Sequence, residues 1–386
     1  MKGRIPGFTS TGSKRPEALF GAASAALPSR MSRSLGCRVW DTGGREYVDY
    51  VMGLGAVALG YAHPHVTRAA QDAAAGGVVS GLPPELEAEV AEELCRLMPW
   101  MEQLRFLKTG AEGVAAAVRI ARAATDRELV LGCGYHGWLD WCQAEGTRGV
   151  PRATSAAFAE LPFNDAARAT AIIRSVADRL AAVVVEPVIA AAPDPEWIAA
   201  LERETERAGA VLVLDEIKTV GRVAVGGAAE RWGIRPGLVV LGKAIANGFP
   251  LAVVGGRADV MDAASHTWIS STLAAETVSL AAARATLEVM VRDRVPEHLA
   301  RVGARLLAGF HELAGCYPGR IRAAAGLPEM CFLQFADDET SSAVAVGCAS
   351  RGVLFKRTAY NFVSLAHDEA VIDETVGVLD EVLAGL

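Results

Sequence analysis

Ala210-Val-Leu-Val-Leu-Asp-Glu-Ile-Lys-Thr219 and Leu238-Val-Val-Leu-Gly-Lys-Ala244 are two apolar runs, each closed by a charge, Asp215 in the first and Lys243 in the second. Continuous apolar runs bounded by turn residues suit strands buried on both faces of a parallel sheet, and such sheets hold ligands at the carboxyl ends of their strands. Asp215 and Lys243 are therefore expected to face one pocket. A buried carboxylate is costly unless a cation meets it. Desolvation lowers the proton affinity of a lysine and makes its amine nucleophilic.

That pairing suits pyridoxal phosphate, whose aldehyde needs an amine and whose ring nitrogen needs an anion. Ile217, two residues beyond Asp215, is placed to pack beneath such a ring if the backbone stays extended. Two other readings compete: a structural ion pair at Lys243, and a metal-binding or helix-capping acid pair at Asp215-Glu216.

Working outward, helices at 84–98, 113–124, 165–179 and 196–208 are expected to alternate with strands at 104–108, 129–133, 181–186 and 210–214. Strands separated by helices of this length imply βαβ units and an α/β fold with a mainly parallel sheet covered by helices. Residues 251–255 add one more apolar strand, and a helix follows at 273–291. Upstream, Val39-Trp-Asp-Thr-Gly-Gly-Arg-Glu-Tyr-Val-Asp-Tyr50 sets a glycine turn between two strand-like runs, a hairpin signal. Residues 1–36 show no period and are expected to form an arm. The organisation that follows is an arm and hairpin over 1–59, a large ligand-binding domain over 60–285, and a smaller α+β domain completed by 286–386 with a terminal helix at 369–386.

The chain has 386 residues, half of them apolar (51%) and few aromatic (6%), which favours helices layered on a sheet. A formal charge of -7 without a basic block speaks against nucleic-acid binding. Seven cysteines with no CxxC pair point to reduced thiols in the cytoplasm. Residues 18–27, alanine-rich after Lys14 and Arg15, carry an Ala-x-Ala pattern but are too short and too close to Glu17 for a leader. No charge-free apolar run is long enough to cross a bilayer.

Other residues join the pocket by position. Thr109-Gly110-Ala111 lies where a strand meets a helix, so free amides there suit an anion, although taken alone a plain turn capped by Thr109 explains it better, since no Walker-type lysine and serine follow. Tyr135 and His136 follow the strand ending at Cys133. The tyrosine suits stacking on a flat ring or a place in the core, and the histidine suits a structural role better than a metal site with His63 and His65. Ser271-Thr272 suits a helix cap or a phosphate contact. Lys14, Arg15, Lys356, Arg357 and Glu276 are candidates for meeting a substrate.

Taken together these motifs resemble the class III pyridoxal-phosphate aminotransferases of fold type I, particularly the branch of glutamate-1-semialdehyde aminomutase. The resemblance rests on Trp40–Tyr50, Gly60-Tyr-Ala-His-Pro64, Thr109-Gly-Ala-Glu112, Tyr135-His-Gly-Trp138, Val185-Glu-Pro187, Asp215–Thr219, Leu241-Gly-Lys243 and Phe362-Val-Ser-Leu-Ala-His367. It implies that Lys243 carries the cofactor, Asp215 pairs with its ring nitrogen, Tyr135 and Ile217 sandwich the ring, and Gly110 and Ala111 donate amides to the phosphate. Thr109, His136, Glu186 and Lys218 are implied as further cofactor contacts. Thr272 is implied to reach the phosphate of a neighbouring subunit in a homodimer.

The chain departs from the pattern at Ala111, which lacks a hydroxyl, and at Lys218, where many relatives carry glutamine. It also reads Ala274-Ala-Glu-Thr277 in place of Ser-Gly-Asn-Pro and is short between Trp138 and Phe163. The expected activity is amino transfer between a donor and a small carbonyl metabolite, an amino acid, amino sugar or aminocyclitol. Intramolecular transfer by an aminomutase is the alternative, followed by racemase, epimerase or decarboxylase chemistry. A non-catalytic binding protein is disfavoured because Lys243, Asp215 and Tyr135 are all present.

Overall fold

The computed structural model describes residues 4–21 and 27–386, so part of the alanine-rich stretch 18–27 lies outside the described residues. Two compact units form, Pro64–Arg294 and a unit joining Met1–His63 to Val295–Leu386. The boundaries drawn from sequence were 59/60 and 285/286.

The larger unit is built on seven strands: β1 (Gln103–Leu107), β2 (Leu129–Cys133), β3 (Phe158–Glu160), β4 (Leu180–Val185), β5 (Val211–Asp215), β6 (Leu238–Leu241) and β7 (Ala252–Gly256). Their spatial order is β1-β7-β6-β5-β4-β2-β3. Strands β2 to β6 pair in parallel, while β7 runs antiparallel to both β6 and β1. Since β1 and β6 both oppose β7, β1 points the same way as the parallel set. The carboxyl ends of β1, β2, β4, β5 and β6 therefore share one edge of the sheet.

Burial explains the parallel set. Every residue of β4, β5 and β6 is buried, as strands covered on both faces must be. The helix Gly110–Thr125 turns Val114, Ala117, Val118 and Ala121 onto the sheet, where they join Val213, Val240 and Val254 in one core. Its start differs from the sequence reading by one turn. Thr109 and Glu112 form a reciprocal capping box that nucleates the helix at Gly110. The helix expected from 273 begins instead at Thr277, because the Glu276 carboxylate caps it through the amides of Val278 (2.8 Å) and Ser279 (3.0 Å).

The smaller unit is α+β. Arg38–Asp41 and Glu46–Asp49 form the expected antiparallel hairpin. The arm is more ordered than its composition suggests: Met31–Leu35 adds a strand beside Arg38–Asp41, through a tight turn at Gly36. Val353–Leu354 pairs in parallel with the hairpin's second strand. A separate three-stranded sheet holds Ile321–Leu327, Met330–Phe335 and Asn361–Phe362. Among the described residues, no helix is long and apolar enough to cross a membrane.

Candidate active site

The shared sheet edge gathers Thr109 to Ala111 after β1, Tyr135 and His136 after β2, Glu186 after β4, Asp215 at the end of β5 and Lys243 after β6. Lys243 follows an extended Gly242 and adopts φ +47, the left-handed region that a lysine enters only at a cost of about 1 kcal/mol or more. The residue opens the 3-10 turn Lys243–Ala246. Burial lowers the proton affinity of its amine; Glu186 and Asp215 oppose that, and Lys218 and Arg222 reinforce it. The result is an amine held below the ordinary lysine range beside two carboxylates.

Asp215 is 3% exposed. Its Oδ2 lies 2.9 Å from His136 Nδ1, and its Oδ1 accepts from the Ile217 amide at 3.3 Å. With Asp215 ionised, Nδ1 of His136 carries the proton and donates it. His136 is itself buried and stacks on Trp141 with ring centroids 6.1 Å apart. Its Nε2 is buried without a partner among the described residues. The histidine thus orients the carboxylate, a positioning role that sequence alone left unspecified.

Glu216 has the capping role weighed for the acid pair. Fully buried, it accepts the Thr219 hydroxyl and the amides of Ala228 (2.8 Å) and Ala229 (2.7 Å), which open the short helix Gly227–Trp232. Burial pushes its carboxyl up to about 7 from 4.5, against those hydrogen bonds. The folded chain then binds more protons than the unfolded chain between those two values, so stability falls as pH rises through that window. Glu216→Gln cannot ionise and is expected to lose this slope. Its melting temperature relative to wild type should rise between about pH 5 and about pH 8; a constant difference contradicts the assignment.

Gly110 and Ala111 open the 16-residue helix, and among the described residues no acceptor meets their amides. Thr109 is committed elsewhere: its hydroxyl accepts from the Glu112 amide at 3.3 Å and donates to Glu112 Oε2 at 3.1 Å. Ile217 reaches across to Gly110, where an added Cβ would come within 2.5 Å of its Cδ1. Gly134, at φ +109, lets the chain turn so that the Tyr135 amide donates to Glu186 Oε2 at 2.9 Å. The Tyr135 ring is 71% exposed, which rules out the core placement weighed from sequence.

Residues Thr272 and Glu276 lie elsewhere. Exposed Thr272 lines a cleft of about 1200 Å³ with Ser80, Arg105, Ser271 and Glu276, and neither Lys243 nor Asp215 borders it. Glu276 caps its helix and meets Lys108 at 2.8 Å. Burial works against its charge, yet Lys108 and the Ser279 contacts hold it below the usual carboxylate range. In the smaller unit, Arg357 is tied to Asp338 and Ser341, and desolvation lowers the ammonium of buried Lys356. His65 meets Glu288 at 2.8 Å, and no cluster of metal-ligating side chains occurs among the described residues.

Residues 20–383 match the family Aminotransferase class-III. The chain belongs to this family. Glutamate-1-semialdehyde 2,1-aminomutase of Neisseria gonorrhoeae (strain NCCP11945) is 34% identical over 422 residues, spanning 100% of this chain and 97% of that protein. The protein of the same name from Roseiflexus castenholzii (strain DSM 13941 / HLO8) is 33% identical, with 97% and 94% covered. Among solved structures, the PLP internal aldimine form of the FumI protein of Sphingopyxis sp. MTA144 superposes with a TM-score of 0.88 at 27% identity, covering 96% of this chain and 93% of that one. A β-phenylalanine aminotransferase from Variovorax paradoxus gives 0.83 at 27% identity, covering 96% and 91%.

The fold is that of fold type I transaminases, and pyridoxal phosphate is the cofactor of this class-III aminotransferase. The residues present fit it. Two unmatched helix amides suit a phosphate, the Cβ-free surface of Gly110 lets Ile217 form an apolar shelf beside them, and a buried, histidine-held carboxylate stands near a desolvated amine.

Proposed function

We propose that this enzyme moves an amino group between an amino donor and a small carbonyl metabolite of a biosynthetic pathway, with Lys243 as the amine that holds the cofactor. The observation that carries the reading is the pairing, at adjacent strand ends, of a lysine of lowered proton affinity with an oriented, buried aspartate. When bound, pyridoxal phosphate supplies an electron sink for the bond broken next to the substrate nitrogen. Lys243 Nζ would hold the cofactor at rest and, once free, would serve as the base that takes the proton from the substrate α-carbon and as the acid that passes it on. Asp215, oriented by its contact with His136, would face the ring nitrogen and hold a positive charge there. Gly110 and Ala111 bind the phosphate through their amides, while Tyr135 and Ile217 flank the ring. Thr109 holds the helix start in register, and Glu186 and Lys218 border the Lys243 side of the site.

Aminomutase activity is the second reading, favoured by the named activity of relatives at 33% and 34% identity. The two separate in one assay. The loaded enzyme given an amine without an oxo-acid acceptor should stop after about one turnover per site, and acceptor should restore cycling. Sustained turnover without acceptor contradicts the aminotransferase reading.

A homodimer belongs to the same proposal. It is supported by Thr272 lining a cleft that Lys243 does not border, with exposed Val79 and Leu82 in the same lining and exposed Leu273 next to Thr272 in sequence. Thr272 then serves the partner's phosphate; a solution mass equal to one chain contradicts this. A cytoplasmic location is supported by seven cysteines that are all free; export of the native protein would contradict it.

A further inference from the structure

Lys218 and Glu186 form an ion pair at 3.0 Å, with side chains only 10% and 13% exposed. The carboxylate is used on both sides: Oε1 meets Lys218 Nζ, and Oε2 accepts the Tyr135 amide at 2.9 Å. Three loops are thereby tied, the turn after β2, the end of β4 and the turn after β5. The pair lies at the carboxyl ends of β4 and β5, next to the end of β6 that Lys243 follows, and both of its members influence that amine.

Resting on the reading of Lys243 as the cofactor-bearing amine, we propose that Lys218 is a positioning residue that keeps Glu186 in a closed ion pair and so weakens its hold on a proton at Lys243. Lys243 is faced by charges from several elements: Glu186 after β4, Asp215 at the end of β5, and Lys218 and Arg222 in the turns that follow β5. Asp215 is already engaged by His136 from the turn after β2. Cys133, at the end of β2, faces Glu186 but remains a neutral thiol, pushed up to about 12 by burial. Glu186 is thus the acid most able to hold a proton on the Lys243 nitrogen, and Lys218 is the group that competes for it. Two positive centres around one carboxylate destabilise the protonated form of either nitrogen, so the pair favours the uncharged, nucleophilic state of Lys243. Methionine or glutamine at 218 would leave Glu186 to Lys243 alone.

The test uses the full chain loaded with pyridoxal phosphate and reads the pH midpoint at which its visible absorption band changes. On a separate portion of each protein, borohydride reduction and digestion identify the labelled peptide. Lys218→Met is expected to raise the midpoint by about one pH unit, Lys218→Arg to leave it near wild type, and Glu186→Gln to lower it. The double variant Glu186→Gln/Lys218→Met should fall between the single variants. Shifts of opposite sign from the two partners are not the mark of a merely structural pair, whose loss would weaken cofactor retention in both. An unchanged or lowered midpoint in Lys218→Met overturns the proposal. If that variant does not fold, Glu186→Gln decides alone, a fall supporting the proposal and a rise or no change overturning it. A label away from Lys243 refutes the reading of the site itself, whereas a label on Lys243 with an unmoved midpoint refutes only the role of Lys218.

Discussion

Lys243→Ala is expected to lose turnover by at least about a thousandfold and to lose borohydride-stable attachment of pyridoxal phosphate altogether. The size of the effect follows from the two functions proposed for one nitrogen, covalent capture and proton transfer, the second alone contributing about 10²–10⁴ in rate. No neighbouring amine stands ready to replace it. Lys218 is tied to Glu186, and Lys108 to Glu276. Alanine also relaxes the left-handed backbone at this position only slightly, because it too has a Cβ. The fold should therefore survive, and reversible cofactor binding should remain through the helix amides at Gly110 and Ala111. Steady-state assay and visible absorbance check this together; a variant that keeps a tenth of wild-type activity contradicts the role given to Lys243.

Asp215→Asn is expected to leave the cofactor attached to Lys243 while lowering kcat by about 10²–10³, the range for loss of a preorganised electrostatic contact. The substitution conserves volume at a buried position and removes only the charge. His136 feels the change as well. Facing an amide in place of an anion, its ring must either donate to the amide oxygen or shift its proton to Nε2, which is buried and unpartnered. Asp215→Glu keeps the charge but misplaces it, so partial activity is expected there. The check is kcat alongside the fraction of chains carrying reducible cofactor. Full activity in Asp215→Asn would show that no anion is needed at this strand end.

The strand ends that carry this site were legible because their runs are apolar throughout and stop at a charge or a glycine. Leu238–Leu241 and Leu129–Cys133 form as read, and Val211–Asp215 shifts by one residue. Direction was not legible: Ala252–Gly256 is buried on both faces like its neighbours yet runs antiparallel, since an all-apolar pattern carries no polarity. The helix start at Gly110 had a visible signal in Thr109-Gly-Ala-Glu112, a capping-box pattern, but Gly110 and Gly113 in one turn argued for a longer loop.

Contacts between distant residues were beyond the sequence. His136 and Asp215 are 79 residues apart, and the Glu216 cap is reached through an irregular turn between Asp215 and Gly227. Glu186 was legible only as part of Val185-Glu-Pro187; that it holds both Lys218 and the Tyr135 amide depends on the positive φ at Gly134. In the smaller unit, the helices Val295–Cys316 and Asp338–Ser350 went unread, the second because alanine, serine and valine spread over all its faces leave little amphipathic pattern.

The most direct test of the central claim is to load the wild-type chain with pyridoxal phosphate, reduce it with borohydride, digest it and sequence the labelled peptide by mass spectrometry. The predicted result is one phosphopyridoxyl group per chain, on Lys243. A label on Lys218 or Lys108, or no label on a chain that binds the cofactor, would contradict it.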